Sequence, residues 1–307
     1  MQVLVTPRSF GKENPDLFAR LERCGLTVLR NTTGAVLGKE AMKELLAPCE
    51  GVIVGIDPLD REVISAAPRL KAISKYGVGL DNIDLMECER RGIKVARTLG
   101  ANSEAVADYA FALMLGVARR MALIDRHCRM RDWGKITSLD IYGKTIGIVG
   151  LGAIGKAVAR RARGFDMRIL AADEVWDNAF ASRYDVARTD VDRICREADF
   201  ITLHCSLTPS ANGIINAERI RTMKNTAILI NTARGGLIDE EALLCALQND
   251  KIWGAGLDVF AQEPPENEAW YKLDNVILGS HCSASTKGAV ELMGVMAVDN
   301  LLRDLGI

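Results

Sequence analysis

Histidine is scarce in this chain: 307 residues contain only His127, His204 and His281. Any reaction that exchanges protons through an imidazole near neutral pH therefore has few places to occur. Paired cysteines are missing as well. Cys24, Cys49, Cys88, Cys128, Cys195, Cys205, Cys245 and Cys282 are scattered, with no Cys-x-x-Cys spacing. That pattern argues against a zinc site or a disulfide frame and for reduced, mostly buried thiols. There is no excess of either charge: 39 Lys and Arg stand against 40 Asp and Glu, for a net charge of −1. Neither a basic block for nucleic acid nor an acidic tail stands out. No apolar run is long enough to span a membrane, no signal-peptide pattern precedes the first strand, and no repeat or low-complexity stretch appears. The expectation is a soluble cytoplasmic protein that uses no metal, nucleic acid or membrane.

The clearest positive signal lies between Lys144 and Glu174. Thr145–Val149 is a short apolar run of strand type, followed at once by Gly150, Gly152 and Gly155 in G-x-G-x-x-G spacing, with Ala153 and Ile154 between them. An Ala/Arg-rich helical stretch comes next, and then a second strand ending at Asp173. This order suits a dinucleotide: Gly150 allows a tight turn, Gly152 leaves room for a pyrophosphate, and Gly155 lets the helix sit against its strand. The helix start then offers free N–H groups and the positive end of its dipole. A carboxylate at Asp173 can accept hydrogen bonds from ribose hydroxyls and would repel a 2′-phosphate, so NAD is expected rather than NADP.

Elsewhere short β-rich runs alternate with helical ones, and about half of the residues are apolar (49%), enough for two cores. The expected fold is α/β, with two Rossmann-like, doubly wound parallel-sheet domains. The substrate domain is discontinuous and flavodoxin-like, formed by residues 1–98 plus 282–307, and the cofactor domain spans 99–281. One long helix is expected over 101–132, apolar nearly all round in its middle and so suited to packing on a second subunit. A strand is expected over 256–259, and a last helix from 285 to about 302 should return to the first domain.

In parallel sheets ligands collect beyond the strand ends, which directs attention to four loops. Lys75-Tyr76-Gly77-Val78-Gly79 can cradle an anion with backbone N–H groups and a lysine charge. Asn231-Thr-Ala233-Arg234-Gly-Gly236 can project an arginine that grips a carboxylate with two parallel hydrogen bonds. Gly256-Leu-Asp258 leads to Glu263, which two following prolines orient. His281, in Gly279-Ser-His281-Cys282, is the best candidate for acid/base work, because small neighbours leave its ring accessible. His204 ends a strand and reads as a residue at the cofactor's edge, and His127 lies among arginines.

Taken together, Tyr76–Asn82, Gly100–Ala107, Gly150–Gly155, Asn231–Asp239, Gly256–Pro265 and the His281 segment resemble the D-isomer-specific 2-hydroxyacid dehydrogenase family, closest to its D-3-phosphoglycerate dehydrogenase-like branch. The resemblance implies hydride transfer between NAD and the α-carbon of a D-2-hydroxy acid, a small-molecule partner and a homodimer. On the matching positions Arg234 would bind the substrate carboxylate and polarise its carbonyl, Glu263 would orient and charge His281, and His281 would exchange the proton. Val78 and Gly79 would complete the carboxylate cradle. Thr208, Pro209, Ala233 and Asp258 match positions used around the nicotinamide half of NAD.

D-3-phosphoglycerate, and with it serine biosynthesis, is the leading substrate expectation; glyoxylate, hydroxypyruvate or another 2-keto acid is the alternative. Three departures bear on that choice. Gly55-Ile56-Asp57 stands where the branch usually places an arginine suited to the phosphate, with Arg8 and Lys75 as the nearest substitutes. Ala153 replaces the arginine common in the fingerprint, and Ser280 precedes His281 where proline is usual. A second class stays open, an NAD-sensing corepressor that keeps the same three site residues.

Overall fold

A computed structural model describes residues 1–307. The chain divides into two compact units, Met1–Asn102 with Ala284–Ile307, and Ser103–Ser283. Each is a parallel sheet with helices on both faces.

In the first unit, β1 (Gln2–Val5), α1 (Asp16–Arg23), β2 (Thr27–Arg30), α2 (Lys39–Leu46), β3 (Gly51–Val54), α3 (Arg61–Ser65), β4 (Ala72–Lys75), α4 (Leu85–Arg90) and β5 (Lys94–Arg97) alternate regularly. The sheet order is β2-β1-β3-β4-β5, all parallel. Four-residue apolar strands such as Gly51-Val-Ile-Val54, buried throughout, are what a sheet covered on both faces requires. On one face Leu4, Met42, Leu46, Val63, Ile64 and Ile73 form a core. On the other, Val3, Ile53, Leu17 and Leu21 meet Val298 and Leu301 of the terminal helix, Lys287–Leu305. That helix therefore packs on the sheet of the first unit. A Cβ on Gly51 would lie 2.9 Å from Leu301 Cδ1, so the helix rests almost on the strand backbone.

The second unit begins with α5 (Ser103–Ala118) and α6 (Met121–Arg129). The single helix expected over 101–132 is thus two, because Arg120 takes a left-handed conformation (φ +52°) and breaks the run. The apolar character of α5 also has an internal cause: eleven of its sixteen residues are buried, in a core shared with β6 (Thr145–Val149), β10 (Ile228–Asn231) and α7 (Ala153–Arg163). Between α7 and β10 come β7 (Arg168–Ala172), α8 (Asn178–Tyr184), β8 (Val186–Arg188), α9 (Val191–Glu197), β9 (Phe200–Leu203) and α10 (Ala217–Thr222). α11 (Glu240–Gln248), β11 (Gly254–Leu257) and β12 (Val276–Leu278) follow, and Lys287–Leu305 of the first unit is α12. The sheet order is β12-β11-β10-β9-β6-β7-β8.

Two features here escaped the sequence. The α8–β8 pair is short, and two of the three β8 residues are exposed, so no periodic pattern announces it. β11 starts two residues earlier than expected, because its glycines are there for packing: a Cβ on Gly254 would lie 2.4 Å from Asn275 O, and one on Gly256 would lie 2.8 Å from Leu113 Cβ. No helix is long and apolar enough to cross a membrane.

Candidate active site

All seven strands of the second unit are parallel, so their C-terminal ends share one edge. Along that edge stand His281 after β12, Asp258 and Glu263 after β11, Arg234 after β10, His204 after β9, Gly150 after β6 and Asp173 after β7. The strand order reverses between β6 and β9, the kind of switch point where such sheets bind ligands.

The glycine-rich turn is built by close approach. A Cβ on Gly150 (φ +97°) would lie 2.5 Å from Cys205 N, and one on Gly155 would lie 2.0 Å from Gly150 O, so neither position admits a side chain. Gly152 faces open space. It is the N-cap of α7 and supplies no side-chain cap, which leaves the first N–H groups around Ala153 and Ile154 available to an anion. Asp173 Oδ2 accepts from Leu151 N–H and its Oδ1 accepts from Val175 N–H at 2.8 Å. The carboxylate is thereby fixed at the end of β7 with lone pairs to spare. A pocket of about 530 Å³ opens beside it, lined by Leu151, Gly152, Lys156, Val175, Trp176 and Asp177 among others. The Lys156–Asp177 ion pair there, 2.6 Å long, was not evident from the sequence.

His204 follows β9 as a half-buried residue, with Nε2 2.8 Å from Thr202 Oγ1 and a buried Nδ1 that has no partner. Burial pushes its pKa down to about 3, so the ring is neutral at working pH. An orphaned nitrogen beside Gly150, open helix N–H groups and a fixed carboxylate together fit a dinucleotide. Thr208 and Pro209 lie in the exposed loop after β9, where Thr208 Oγ1 accepts from Ala211 N–H.

The proton-handling pair is formed across two loops. His281 Nδ1 lies 2.9 Å from Glu263 Oε2 and 3.1 Å from Oε1, and Glu263 Oε1 also accepts from Phe260 N–H at 3.2 Å. The Glu263–Pro264 peptide is cis. Burial alone would raise the Glu263 pKa, but the hydrogen bond and charge of His281, the Phe260 N–H and the Arg234 charge together bring it below the usual glutamate value. The carboxylate is therefore ionised at neutral pH. Its hold on His281 is lost only as pH falls through that lowered value.

Arg234 follows β10, with Nη1 donating to Ala233 O at 2.7 Å. Asn231 shapes the loop: its Nδ2 donates to Arg234 O at 2.8 Å and its Oδ1 accepts from Ala233 N–H at 3.0 Å. A Cβ on Gly235 would lie 1.9 Å from Phe260 C, so the Arg234 and Glu263 loops are packed backbone to backbone. Glu240 adds a tie by accepting from Ala261 N–H at 2.6 Å. Glu240 carries no motif of its own, which is why the sequence did not single it out.

Several residues expected at the ligands also have partners within the chain. Asp258, matched to the nicotinamide end of the cofactor, has no exposed surface, and its oxygens accept from Cys282 N–H at 3.0 Å and Ser283 N–H at 2.8 Å. It braces the His281 turn from behind. In the first unit Lys75 is 4% exposed, and its ammonium donates to Gly55 O at 2.5 Å and Asn82 Oδ1 at 2.6 Å. Tyr76 is 8% exposed and donates to Val290 O at 3.0 Å. Both side chains, expected to face substrate, are instead tied down inside their own unit. Gly77 N–H is taken by Thr98 Oγ1, whereas the N–H groups of Val78 and Gly79 have no acceptor within the chain. His127 pairs with Asp132 at 2.7 Å.

Residues 111–283 match the family model described as "D-isomer specific 2-hydroxyacid dehydrogenase, NAD binding domain". A glyoxylate reductase of Korarchaeum cryptofilum is 42% identical over 272 residues, covering 86% of this chain and 82% of that one. A hydroxypyruvate reductase of Thermotoga maritima is 39% identical over 281 residues, covering 90% and 91%. Among solved structures, the TT0316 protein from Thermus thermophilus superposes with a TM-score of 0.90 at 37% identity, over 100% of this chain and 97% of that one. These names do not support the expected phosphoglycerate activity or a place in serine biosynthesis.

Proposed function

As the chain belongs to the D-isomer specific 2-hydroxyacid dehydrogenase family and is an NAD-dependent enzyme of that family, we propose that its substrate is a short, unphosphorylated 2-keto acid of the glyoxylate or hydroxypyruvate kind. The observation that carries this reading is the 2.9 Å contact of His281 with Glu263 on the strand edge that also presents Arg234. When bound, the nicotinamide supplies or accepts the hydride. Arg234 grips the substrate carboxylate and draws charge onto the carbonyl oxygen. His281 delivers the proton from Nε2, since Nδ1 is engaged by Glu263.

Substrate size is argued from the turn after β3. Asp57 accepts there from Thr6 Oγ1 and Leu37 N–H, and the Lys75 charge is directed at Gly55 O. A carboxylate and an internally committed lysine make that turn a poor seat for a phosphate. In an NADH-oxidation assay, kcat/KM is expected to be highest for glyoxylate or hydroxypyruvate and about tenfold or more lower for 3-phosphohydroxypyruvate. A preference for the phosphorylated acid overturns the substrate reading. Tight NADH binding without turnover of any keto acid would place the protein among non-enzymatic NAD sensors instead.

Asp173 is proposed to hold the adenosine ribose and exclude a 2′-phosphate. Because it also receives Leu151 and Val175 N–H groups, Asp173→Asn is the informative change: an acceptor stays and the charge goes. Discrimination against NADPH is expected to fall by about tenfold. An unchanged NADH/NADPH ratio removes Asp173 from that role. A cytoplasmic setting belongs to the same proposal and is supported by eight free cysteines. The homodimer rests on family resemblance alone.

A further inference from the structure

We propose that Tyr109 is a positioning residue for His281: its hydroxyl, presented by α5, meets the Cys282 thiol and clamps the turn that aims the imidazole at Glu263. The proposal rests on the reading of His281 as the proton-exchanging group and extends it to a helix that the reaction does not otherwise involve.

His281 has φ +56°, a left-handed conformation that a residue with a side chain adopts only when its surroundings enforce it. Asp258 provides part of that enforcement. Its carbonyl accepts from His281 N–H at 2.8 Å, and its carboxylate accepts from the next two N–H groups. Asp258 is itself held from the side of α5. Cys282 Sγ lies 3.4 Å from Tyr109 Oη and 3.6 Å from Asp258 Oδ1, so the thiol joins helix and brace. The same two groups close over the start of the turn: a Cβ on Gly279 would lie 2.2 Å from Asp258 Oδ1 and 2.8 Å from Tyr109 Oη. Burial above all, then the hydrogen bond with Cys282 and the nearby Asp258 charge, raise the Tyr109 pKa well above the usual phenol range. The group is therefore a neutral hydroxyl throughout the working pH range.

Without that hydroxyl the turn can relax toward an ordinary backbone conformation and carry the ring away from Glu263. A misaimed ring is a poorer proton donor to the substrate, so keto-acid reduction should slow while NADH binding is kept. The experiment compares Tyr109→Phe, Cys282→Ala, Cys282→Ser and the Tyr109→Phe/Cys282→Ala double variant in the full chain, with His281→Ala as control. It follows glyoxylate and hydroxypyruvate reduction against pH, and NADH binding by fluorescence.

Tyr109→Phe and Cys282→Ala are each expected to lower kcat by about tenfold, as misaimed reacting groups do. NADH affinity should stay unchanged. The double variant should be no worse than either single one, and Cys282→Ser, which retains a donor, should recover most of the rate. Wild-type kcat in Tyr109→Phe overturns the proposal, as does an additive double variant or a Cys282→Ser variant no better than Cys282→Ala. If His281→Ala is inactive while Tyr109→Phe behaves as wild type, only this inference falls. If His281→Ala stays active, the proton-transfer reading falls and takes the inference with it.

Discussion

His281→Ala is expected to lower kcat for keto-acid reduction by about 10²–10⁴-fold, the range general acid catalysis commonly contributes, with NADH affinity nearly unchanged. The reason is that no other imidazole is placed to take over. His204 is held neutral by burial and uses Nε2 on Thr202, and His127 is paired with Asp132. His281 has its Nδ1 on Glu263 and its backbone N–H on Asp258, which fixes both the ring's tautomer and its direction. Steady-state kinetics combined with NADH titration checks the expectation. Normal turnover in the variant would dismiss His281 from proton transfer.

Arg234→Ala should cost about 10²–10³-fold in kcat/KM, comparable to removing a preorganised donor from a developing oxyanion, and Arg234→Lys should recover little of it. A guanidinium gives two parallel donors to a carboxylate, whereas an ammonium is a single point of charge. The loop itself should survive the change, because its shape depends on Asn231 and on the packing of Gly235 against Phe260. Circular dichroism and NADH binding serve as controls for folding. If kcat and KM for glyoxylate remain those of the wild type, Arg234 neither binds nor polarises the substrate.

The two results differ in what they test. The histidine is supported by a visible partner, so its loss should appear chiefly in kcat and in the pH profile. Arg234 is proposed to meet both the carboxylate and the carbonyl of the substrate, so its loss should appear in kcat and KM together.

What the residue order determined by itself is the local layout. A strand, three glycines, a helix and a terminal acid can be read from Thr145 to Asp173, because each step follows from chain-local physics: periodicity, turn geometry and helix capping. The placement of Arg234, Glu263 and His281 just after strands was legible for the same reason, and parallel pairing then puts such loops on one edge. Tertiary structure decided which side chains are committed elsewhere. Lys75 and Tyr76 look available in a glycine-rich loop, yet Gly55, Asn82 and Val290 claim them across 7 to 214 residues of sequence. The break at Arg120, the brace formed by Asp258 and the approach of Tyr109 to Cys282 belong to the same category. A hydrogen-bonding group has many possible partners along the chain, and only packing brings one of them within about 3 Å.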